Sequence, residues 1–299
     1  MIKIIIYKLK ISMTTNNSYA LNGTLNIDHY DIILIDLWGV VYDGNGLYPQ
    51  VLNTLKKLRY IMKEVIFFSN TPRRKATIET SLKRFNIDNS LYKDIVVSGE
   101  LVNELLTCKK LYGHKYFYLG SPESEEAILN IKGYRKVNQP QNADFCIITG
   151  VINYFDQAMK LAKQAIHYKL PLICINPDKL SITKDGEMMY CAGIIAEKYK
   201  KFGGKVIYFG KPYKEIYRYA LRSIPAIKKV LAIGDSMDND IRGALNNNID
   251  CALICSGIHR HELNIKVGEL PTNYRLAQLY NKHSFKPHFV LSILSDIVK

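Results

Sequence analysis

Short apolar runs that stop abruptly at a polar residue or a glycine recur along this chain. Four of them are rich in Ile, Val, Leu and Phe: 32–35 before Asp36, 65–68 before Ser69 and Asn70, 206–209 before Gly210 and Lys211, and 230–233 before Gly234 and Asp235. Runs of this length are typical of strands buried on both faces. Helical periodicity lies between them, for example over 75–86 and 214–223. Alternating strands and helices predict an α/β fold built on a parallel sheet.

The polar residues that follow these runs are the first candidates for a functional site. Ligands of open parallel sheets bind in the crevice beyond the carboxyl ends of the strands. Asp36, Ser69, Asn70, Lys211 and Asp235 all fall at such ends, although they are far apart in the sequence. We therefore expect them to converge on one crevice.

The middle third of the chain has strand-like runs of its own at 116–119, 145–148 and 172–175, with a helical pattern over 156–168. These runs predict a second α/β unit, a cap inserted into the first. The predicted division is a core of 28–106 and 196–299, a cap of 107–195, and an N-terminal leader of 1–27. Met13 begins an ordinary polar segment within that leader, so it is an alternative start to Met1.

Charge and cysteine usage narrow the classes of function. The net charge of +14 would attract anions, including phosphorylated metabolites. The basic residues are scattered and form no nucleic-acid motif, and no apolar stretch is long enough to span a bilayer, so we predict neither a nucleic-acid nor a membrane partner. The six cysteines form no Cys-x-x-Cys pair, which favours reduced thiols in a cytoplasmic protein. The oligomeric state is left open, with a homodimer as one option.

The strand-end residues have the chemistry that phosphoryl transfer to a carboxylate requires. Asp36 is the candidate nucleophile, and Asp235 offers the hard oxygen ligand that Mg²⁺ prefers. Ser69 and Asn70 offer donors to phosphate oxygens, and Lys211 offers a compact positive charge. Each residue taken alone also fits a turn or a helix cap. Four such sites in order, each at a strand end, favour the functional interpretation.

The order of these motifs resembles that of haloacid dehalogenase-type hydrolases. It consists of Asp36-Leu37-Trp38-Gly39-Val40, Ser69-Asn70-Thr71, Gly210-Lys211-Pro212 and Gly234-Asp235 with Asp240. A large cap between the second and third motifs resembles subclass IIA, the NagD-like and p-nitrophenylphosphatase-like enzymes. Asn176-Pro177-Asp178 and Val96-Val97-Ser98-Gly99 resemble segments of that subclass. The resemblance implies a Rossmann-like parallel sheet core with an inserted α/β cap domain.

The resemblance also implies roles for single residues. Asp36 would form an aspartyl-phosphate and ligate Mg²⁺ together with Asp235 and the backbone carbonyl of Trp38. Asp240 would support the metal site without ligating the ion. Ser69 or Asn70 would hold the phosphate with Lys211, and Asn176 and Asp178 would line the cap side of the cleft.

Trp38 departs from the family pattern, and it resembles a subfamily with Asp-x-Trp in the first motif. Most phosphatases of the superfamily carry there a second Asp, which acts as the general acid and base. An indole N–H only donates and does not titrate usefully, and the loss of general acid–base help typically lowers rates about 10²–10⁴-fold. The sequence thus predicts a Mg²⁺-dependent phosphohydrolase for a small phosphorylated metabolite. The alternatives are a weak or inactive phosphometabolite-binding protein and, less favoured, a nucleic-acid-binding protein; a dehalogenase is disfavoured because the carboxylates and Lys211 suit a metal and a phosphate.

Overall fold

The structure, a computed structural model, describes residues 25–298 apart from 44, 110, 111, 126–130 and 183–186. Of the predicted leader it describes only residues 25–27, so the choice between Met1 and Met13 lies outside the described residues. The α/β character predicted from the sequence is confirmed. Among the described residues, no helix combines the length and the apolar character needed to cross a membrane.

The strands and helices alternate along most of the chain. The strands are β1 Ile32–Ile35, β2 Glu64–Ser69, β3 Asp94–Val97, β4 Lys115–Tyr118, β5 Arg135–Val137, β6 Phe145–Thr149, β7 Leu172–Ile175, β8 Leu180–Ile182, β9 Met188–Tyr190, β10 Val206–Phe209, β11 Val230–Gly234, β12 Asp250–Ile254 and β13 Phe289–Leu291. The helices are α1 Val51–Tyr60, α2 Lys75–Arg84, α3 Ser98–Lys109, α4 Pro122–Glu125, α5 Phe155–His167, α6 Ala192–Lys201, α7 Lys214–Leu221, α8 Arg242–Asn246, α9 Arg260–Leu263 and α10 Asn273–His283. Short 3₁₀ turns span Ile27–His29, Asn89–Leu91, Pro140–Asn142 and Leu294–Val298, and a π-helical turn spans Met237–Ile241.

A six-stranded parallel sheet places the candidate site at its carboxyl edge. Its strands lie in the order β13, β12, β11, β1, β2, β3. Ile35 at the end of β1 is paired with Ile233 of β11 on one side and with Phe67 of β2 on the other. The polar residues that follow these three strands therefore lie side by side, as the sequence pattern predicts.

Both faces of this sheet are buried, which explains the continuous apolar runs. In β1, Ile33 and Ile35 pack into one apolar cluster, whereas Ile32 and Leu34 pack into another on the opposite face. All four side chains are at most 1% exposed. The alternation follows from the period of two along a strand, which sends successive side chains to opposite faces.

A second sheet of five parallel strands lies in the order β10, β7, β6, β4, β5, and β8 and β9 form a separate antiparallel ribbon. Helix α3 joins the two sheets, because it contacts β3 of the first sheet and β7 and β10 of the second. One apolar cluster correspondingly includes Leu34 of the first sheet and Ile173 and Phe209 of the second. The core is therefore continuous where the two sheets meet.

The run 206–209 forms a strand as predicted, but this strand belongs to the second sheet. It pairs with β7, where Phe209 lies opposite Ile175, and so extends the second sheet past the predicted cap boundary at residue 195. Because β10 is an edge strand, Val206, Ile207 and Tyr208 are only half-buried, and burial on both faces is wrong for this run. An apolar run has the same pattern in either of two parallel sheets, so the sequence could not assign it.

All six cysteines are free thiols, and only Cys108 is exposed. Burial raises the pKa of Cys146 and Cys255 to about 12, so both thiols stay protonated at neutral pH. They pack as small apolar side chains in the interior.

Candidate active site

Three buried carboxylates meet beyond the ends of β1 and β11. The backbone N–H of Asp36 donates to the carbonyl of Ile233 at 2.9 Å, which extends the pairing of the two strands by one residue. Asp36, Asp235 and Asp240 each offer a carboxylate oxygen, and these oxygens lie within 4.8 Å of one another. The expectation that Asp36 and Asp235 lie close enough to share one cation is confirmed.

The carboxylate of Asp235 is held tightly by backbone. A Cβ on Gly39, which has φ of +85°, would lie 2.0 Å from its Oδ2 atom, and a Cβ on Gly257 would lie 2.2 Å from the same atom. The backbone N–H of Ile258 donates to Oδ2 at 2.7 Å. Glycine at position 39 therefore allows a left-handed backbone conformation and lets the backbone lie against the carboxylate of Asp235. A side chain at this position would displace Asp235.

Electrostatics at this cluster favour a bound cation. Burial, followed by the neighbouring carboxylates, raises the pKa of Asp235 well above its ordinary value. Burial likewise raises the pKa of Asp36, although Lys211 beside it acts in the opposite direction. Both shifts mean that the ionised carboxylates repel one another and are poorly solvated. A cation among the three carboxylates would relieve this cost, and oxygen donors are the ligands that Mg²⁺ prefers.

Lys211 is buried between two of the carboxylates. Its Nζ atom donates to Asp36 Oδ1 at 2.7 Å, to Asp240 Oδ1 at 2.6 Å and to the carbonyl of Phe68 at 2.9 Å. Burial alone would lower the pKa of Lys211, but the carboxylates of Asp240 and Asp36 more than offset this effect and raise it. The ammonium therefore stays charged beside the candidate nucleophile.

Asn70 lies at the site as predicted, but its amide holds Lys211. Asn70 Oδ1 accepts the backbone N–H of Lys211, and Asn70 Nδ2 donates to the Lys211 carbonyl at 3.0 Å. This reciprocal pair fixes the loop that follows β10. Ser69, the other predicted phosphate donor, is 6% exposed, and its hydroxyl accepts the backbone N–H of Thr71 at 3.3 Å. Among the described residues the Ser69 hydroxyl donates to no acceptor, so its O–H can point toward a ligand in the cleft.

Asp178 connects the second sheet to the carboxylate site. Its Oδ1 atom accepts from Asn70 Nδ2 at 2.8 Å and from Asn239 Nδ2 at 2.7 Å. Asn176 Oδ1 accepts the backbone N–H of Asp178 at 3.0 Å and so fixes the turn. Burial raises the pKa of Asp178 to about 6. The two residues that the resemblance placed on the cap side of the cleft therefore lie at the junction of the two sheets.

Trp38 is the outermost of the predicted site residues, with 39% of its surface exposed. Its indole makes an edge contact with Tyr42, with ring centroids 5.9 Å apart, and Tyr42 stacks on Phe85 at 5.6 Å. The three rings form a continuous aromatic wall, which we call the 38–42–85 wall. Trp38 thus adds an apolar, partly exposed surface to the cleft.

One cleft of about 1220 Å³ is lined by every predicted site residue. They are Asp36, Trp38, Ser69, Asn70, Asn176, Asp178, Lys211, Asp235 and Asp240. The volume exceeds the 300–1,000 Å³ typical of small-molecule sites, so the cleft has room for more than a phosphate group.

The sequence interpretation missed His259, which holds the loop that carries Asp235 and Asp240. The backbone N–H of Met237, in that loop, donates to His259 Nε2 at 3.1 Å. Nδ1 of His259 therefore carries the ring proton, and it donates to Glu262 Oε2 at 3.1 Å. Because β12 ends a few residues earlier, the strand-end rule that found the other site residues could also have pointed here.

Comparison with known proteins gives two matching family models. The model described as haloacid dehalogenase-like hydrolase matches residues 33–134, and the model described as HAD-hydrolase-like matches residues 208–296. The sugar-phosphatase AraL of Bacillus subtilis is 26% identical over 272 residues, covering 89% of this chain and 92% of the relative. The two family models together match most of the chain, and the similarity to this relative also covers the residues between them.

Solved structures share the fold. The p-nitrophenyl phosphatase from Archaeoglobus fulgidus has a TM-score of 0.70 and 24% identity, covering 90% of this chain and 98% of that chain. The glycerol phosphate phosphatase from Mycobacterium tuberculosis, solved in complex with magnesium, has a TM-score of 0.67 and 19% identity, covering 90% and 76% of the two chains.

This chain belongs to the haloacid dehalogenase superfamily of hydrolases, because both family models and the fold of solved members agree on it. The 4-nitrophenylphosphatase of Schizosaccharomyces pombe, 24% identical over 264 residues and covering 79% of this chain and 87% of the relative, supports the predicted placement in subclass IIA, the group of NagD-like and p-nitrophenylphosphatase-like enzymes. The expectation drawn from the order of the four motifs is thereby confirmed.

Proposed function

We propose that this protein is a Mg²⁺-dependent phosphatase of small phosphorylated metabolites. The observation that carries the proposal is the arrangement at the base of the cleft, where Lys211 lies between Asp36 and Asp240 and Asp235 completes a group of three carboxylates. A nucleophile, a positive charge and a cation site are the components of phosphoryl transfer to a carboxylate. Relatives named as a sugar phosphatase and a dihydroxyacetone phosphatase support the class of substrate.

We propose Asp36, Asp235 and the backbone carbonyl of Trp38 as ligands of Mg²⁺, with Asp240 supporting the site through Lys211. The buried carboxylates fit this ion, because Mg²⁺ takes one or two carboxylates plus water and substrate oxygens. When bound, the ion would act as a Lewis acid and offset the charge that develops on the transferred phosphoryl group.

Asp36 would carry the covalent chemistry. One of its carboxylate oxygens attacks phosphorus while the bond from phosphorus to the leaving oxygen breaks, which gives an aspartyl-phosphate and an alkoxide or phenoxide. Water then attacks the aspartyl-phosphate, loses a proton to solvent and releases inorganic phosphate, so that Asp36 is restored. Lys211 and the hydroxyl of Ser69 would bind the phosphoryl oxygens, and Asn70 would position Lys211.

Trp38 supports a second candidate, a phosphometabolite-binding protein with little or no turnover. Its indole cannot protonate the leaving oxygen, so the proton must come from solvent. Such a protein would keep the residues that bind the phosphate and the metal, and only its rate of hydrolysis would be low.

A screen of the purified protein against a panel of phosphate monoesters, with and without Mg²⁺, tests the proposal. We expect Mg²⁺-dependent release of inorganic phosphate from at least one ester. Esters that bind without being hydrolysed would favour the binding protein instead. Binding of the purified protein to added nucleic acid tests the predicted lack of that partner. The lack of a nucleic-acid partner and the cytoplasmic location both stay predictions.

Removing one carboxylate should weaken the metal site without unfolding the protein. We expect Mg²⁺ to raise the Tm of the wild type, because an ion that binds only the folded state stabilises it by about 2.7 kcal/mol at a concentration of 100 Kd. The rise should be lost in Asp235→Asn. Without metal, Asp235→Asn should melt at or above the wild-type Tm, because burial disfavours the ionised carboxyl.

Asp43→Asn is the matched control for that experiment. Asp43 lines the same cleft, but its Oδ1 accepts backbone N–H groups of Asn45 and Gly46, a role that an Asn oxygen can fill. An equal Mg²⁺-induced rise in Tm for all three proteins would show that the ion does not bind at Asp235.

His259→Phe should lower Mg²⁺ affinity about tenfold or more, the scale seen when groups that orient ligand-bearing segments are removed. The physical reason is the loss of the acceptor for the Met237 N–H in the loop of Asp235. His259→Gln keeps a side-chain oxygen as an acceptor, so its loss should be smaller. The Tm of each variant, measured over a range of Mg²⁺ concentrations, gives its Mg²⁺ affinity. An unchanged affinity in His259→Phe would contradict the role of His259 in positioning the loop.

A further inference from the structure

One face of helix α2 forms a side of the cleft that the proposed chemistry does not use. Thr77, Ile78, Ser81, Arg84 and Phe85 line the cleft. Residues spaced by three, four and seven positions lie on one helix face, so this stripe runs along the axis of α2. With a rise of 1.5 Å per residue, the stripe extends about 10 Å from Thr77 to Arg84.

Arg84 is placed to contact a bound molecule from the far end of this stripe. Helical side chains lean toward the helix N-terminus, which directs Arg84 back along α2 toward the loop that follows β2. That loop holds Ser69, one of the residues proposed to bind the phosphate. Within the described part of the chain, the Arg84 guanidinium makes no ion pair and no hydrogen bond. It is therefore available to an anionic ligand.

The 38–42–85 wall connects the carboxylate site to Arg84. Trp38 lies two residues after Asp36, and Phe85 directly follows Arg84. The edge contact of Trp38 with Tyr42 and the stacking of Tyr42 on Phe85 make the wall continuous over that distance. An aromatic ring that extends from the phosphate would have aromatic side chains along its path.

Besides the buried Lys211, the described residues that line the cleft include three arginines, Arg73, Arg84 and Arg260, and Arg73 and Arg84 are exposed at its mouth. The acidic group of Asp36, Asp235 and Asp240 lies at the base, where burial and a metal ion account for it. Arg84 lies on the exposed surface at the other end of the α2 stripe. A ligand with a phosphate at the base could therefore place a second negative group at the mouth without meeting a carboxylate of the acidic group.

We propose that the preferred substrate is an aromatic phosphate monoester that carries a second anionic group, a carboxylate or a phosphate, on the far side of the ring. The ring lies along the 38–42–85 wall and the second anion pairs with Arg84. This inference rests on the proposed phosphatase function and names the class of its substrate. An arginine suits the role because its planar guanidinium binds a carboxylate or a phosphate through two parallel hydrogen bonds.

The test compares esters of matched shape, one with and one without the second negative charge. The first pair is 4-carboxyphenyl phosphate and 4-carbamoylphenyl phosphate, in which a neutral amide of the same shape replaces the ionised carboxylate. A longer pair, 6-carboxy-2-naphthyl and 6-carbamoyl-2-naphthyl phosphate, extends the reach toward Arg84. One of the two pairs should match the distance from the phosphate site to Arg84. For that pair we expect the wild-type kcat/KM to be about tenfold higher for the carboxylate ester than for the amide ester, the scale of a hydrogen bond to a charged group.

Arg84→Gln should reduce that ratio to about one by lowering kcat/KM for the carboxylate ester alone. Lys83→Gln is the matched control, because it removes the same charge from the neighbouring position of α2, which does not line the cleft. A ratio near one for both pairs in the wild type would overturn the inference and leave the phosphatase function intact. An Arg84→Gln variant that loses activity equally on charged and neutral esters would also overturn it. Absence of hydrolysis of all four esters would overturn this inference, and the panel of phosphate monoesters would then decide the phosphatase function separately.

Discussion

Asp36→Asn is expected to lower kcat for any hydrolysed phosphate ester by on the order of 10⁴-fold or more, the scale on which removal of a catalytic nucleophile acts. An amide oxygen is a poor nucleophile, and it cannot form the acyl phosphate that the proposed reaction requires. The fold should persist, because an Asn oxygen can still accept from Lys211, which also donates to Asp240 and to the Phe68 carbonyl.

Two measurements make this result specific to the nucleophile. Thermal unfolding without metal should give a Tm at least equal to that of the wild type, because the substitution removes one of three mutually repelling carboxylates. Rapid quenching of the reaction with a ³²P-labelled ester should trap label on the wild-type chain and none on the variant. Turnover at the wild-type rate in Asp36→Asn would exclude Asp36 as the attacking group.

Trp38→Asp is expected to raise the hydrolysis of alkyl phosphates by on the order of 10²-fold or more, the usual contribution of a general acid. In the wild type the leaving oxygen departs with little proton assistance, since the indole does not titrate usefully. Turnover should therefore depend steeply on the pKa of the leaving group. Aryl and acyl phosphates should be cleaved far better than alkyl phosphates such as sugar phosphates.

Trp38→Leu separates the effect of the new carboxyl group from the effect of removing the indole. Both substitutions remove the edge contact with Tyr42 and open the cleft, but only one adds a titrating group. The kcat/KM values for one aryl and one alkyl ester, measured in all three proteins, decide the question. Equal wild-type rates on the two esters would refute the argument that a general acid is missing. An equal gain in alkyl-ester hydrolysis for Trp38→Leu and Trp38→Asp would show that the gain comes from a wider cleft and not from the new carboxyl group.

The sequence by itself determined the elements that build the site. The runs before Asp36, Ser69 and Asp235 are buried strands, because each is short and offers apolar side chains to both faces of a covered sheet. Strands in one parallel sheet end at one edge, so the convergence of Asp36 and Asp235 followed from the pattern. The order of the motifs was specific enough to indicate the superfamily, which both family models confirm, and a subclass that the p-nitrophenylphosphatase-like relatives support.

Only the tertiary structure decided which partner each of these elements meets. The run 206–209 pairs in the second sheet, because strand pairing is a long-range choice that the apolar pattern leaves open. Asn70 bonds to Lys211 and Asp178, which lie far from it in the sequence, so its use as a positioning group was hidden. His259 and Arg84 have ordinary local sequence, and each gains significance only from what folding places nearby: a loop N–H for His259 and an aromatic wall for Arg84. Local apolar periodicity determines where strands and helices form, whereas the contacts that select a substrate depend on groups that approach one another only in the folded chain.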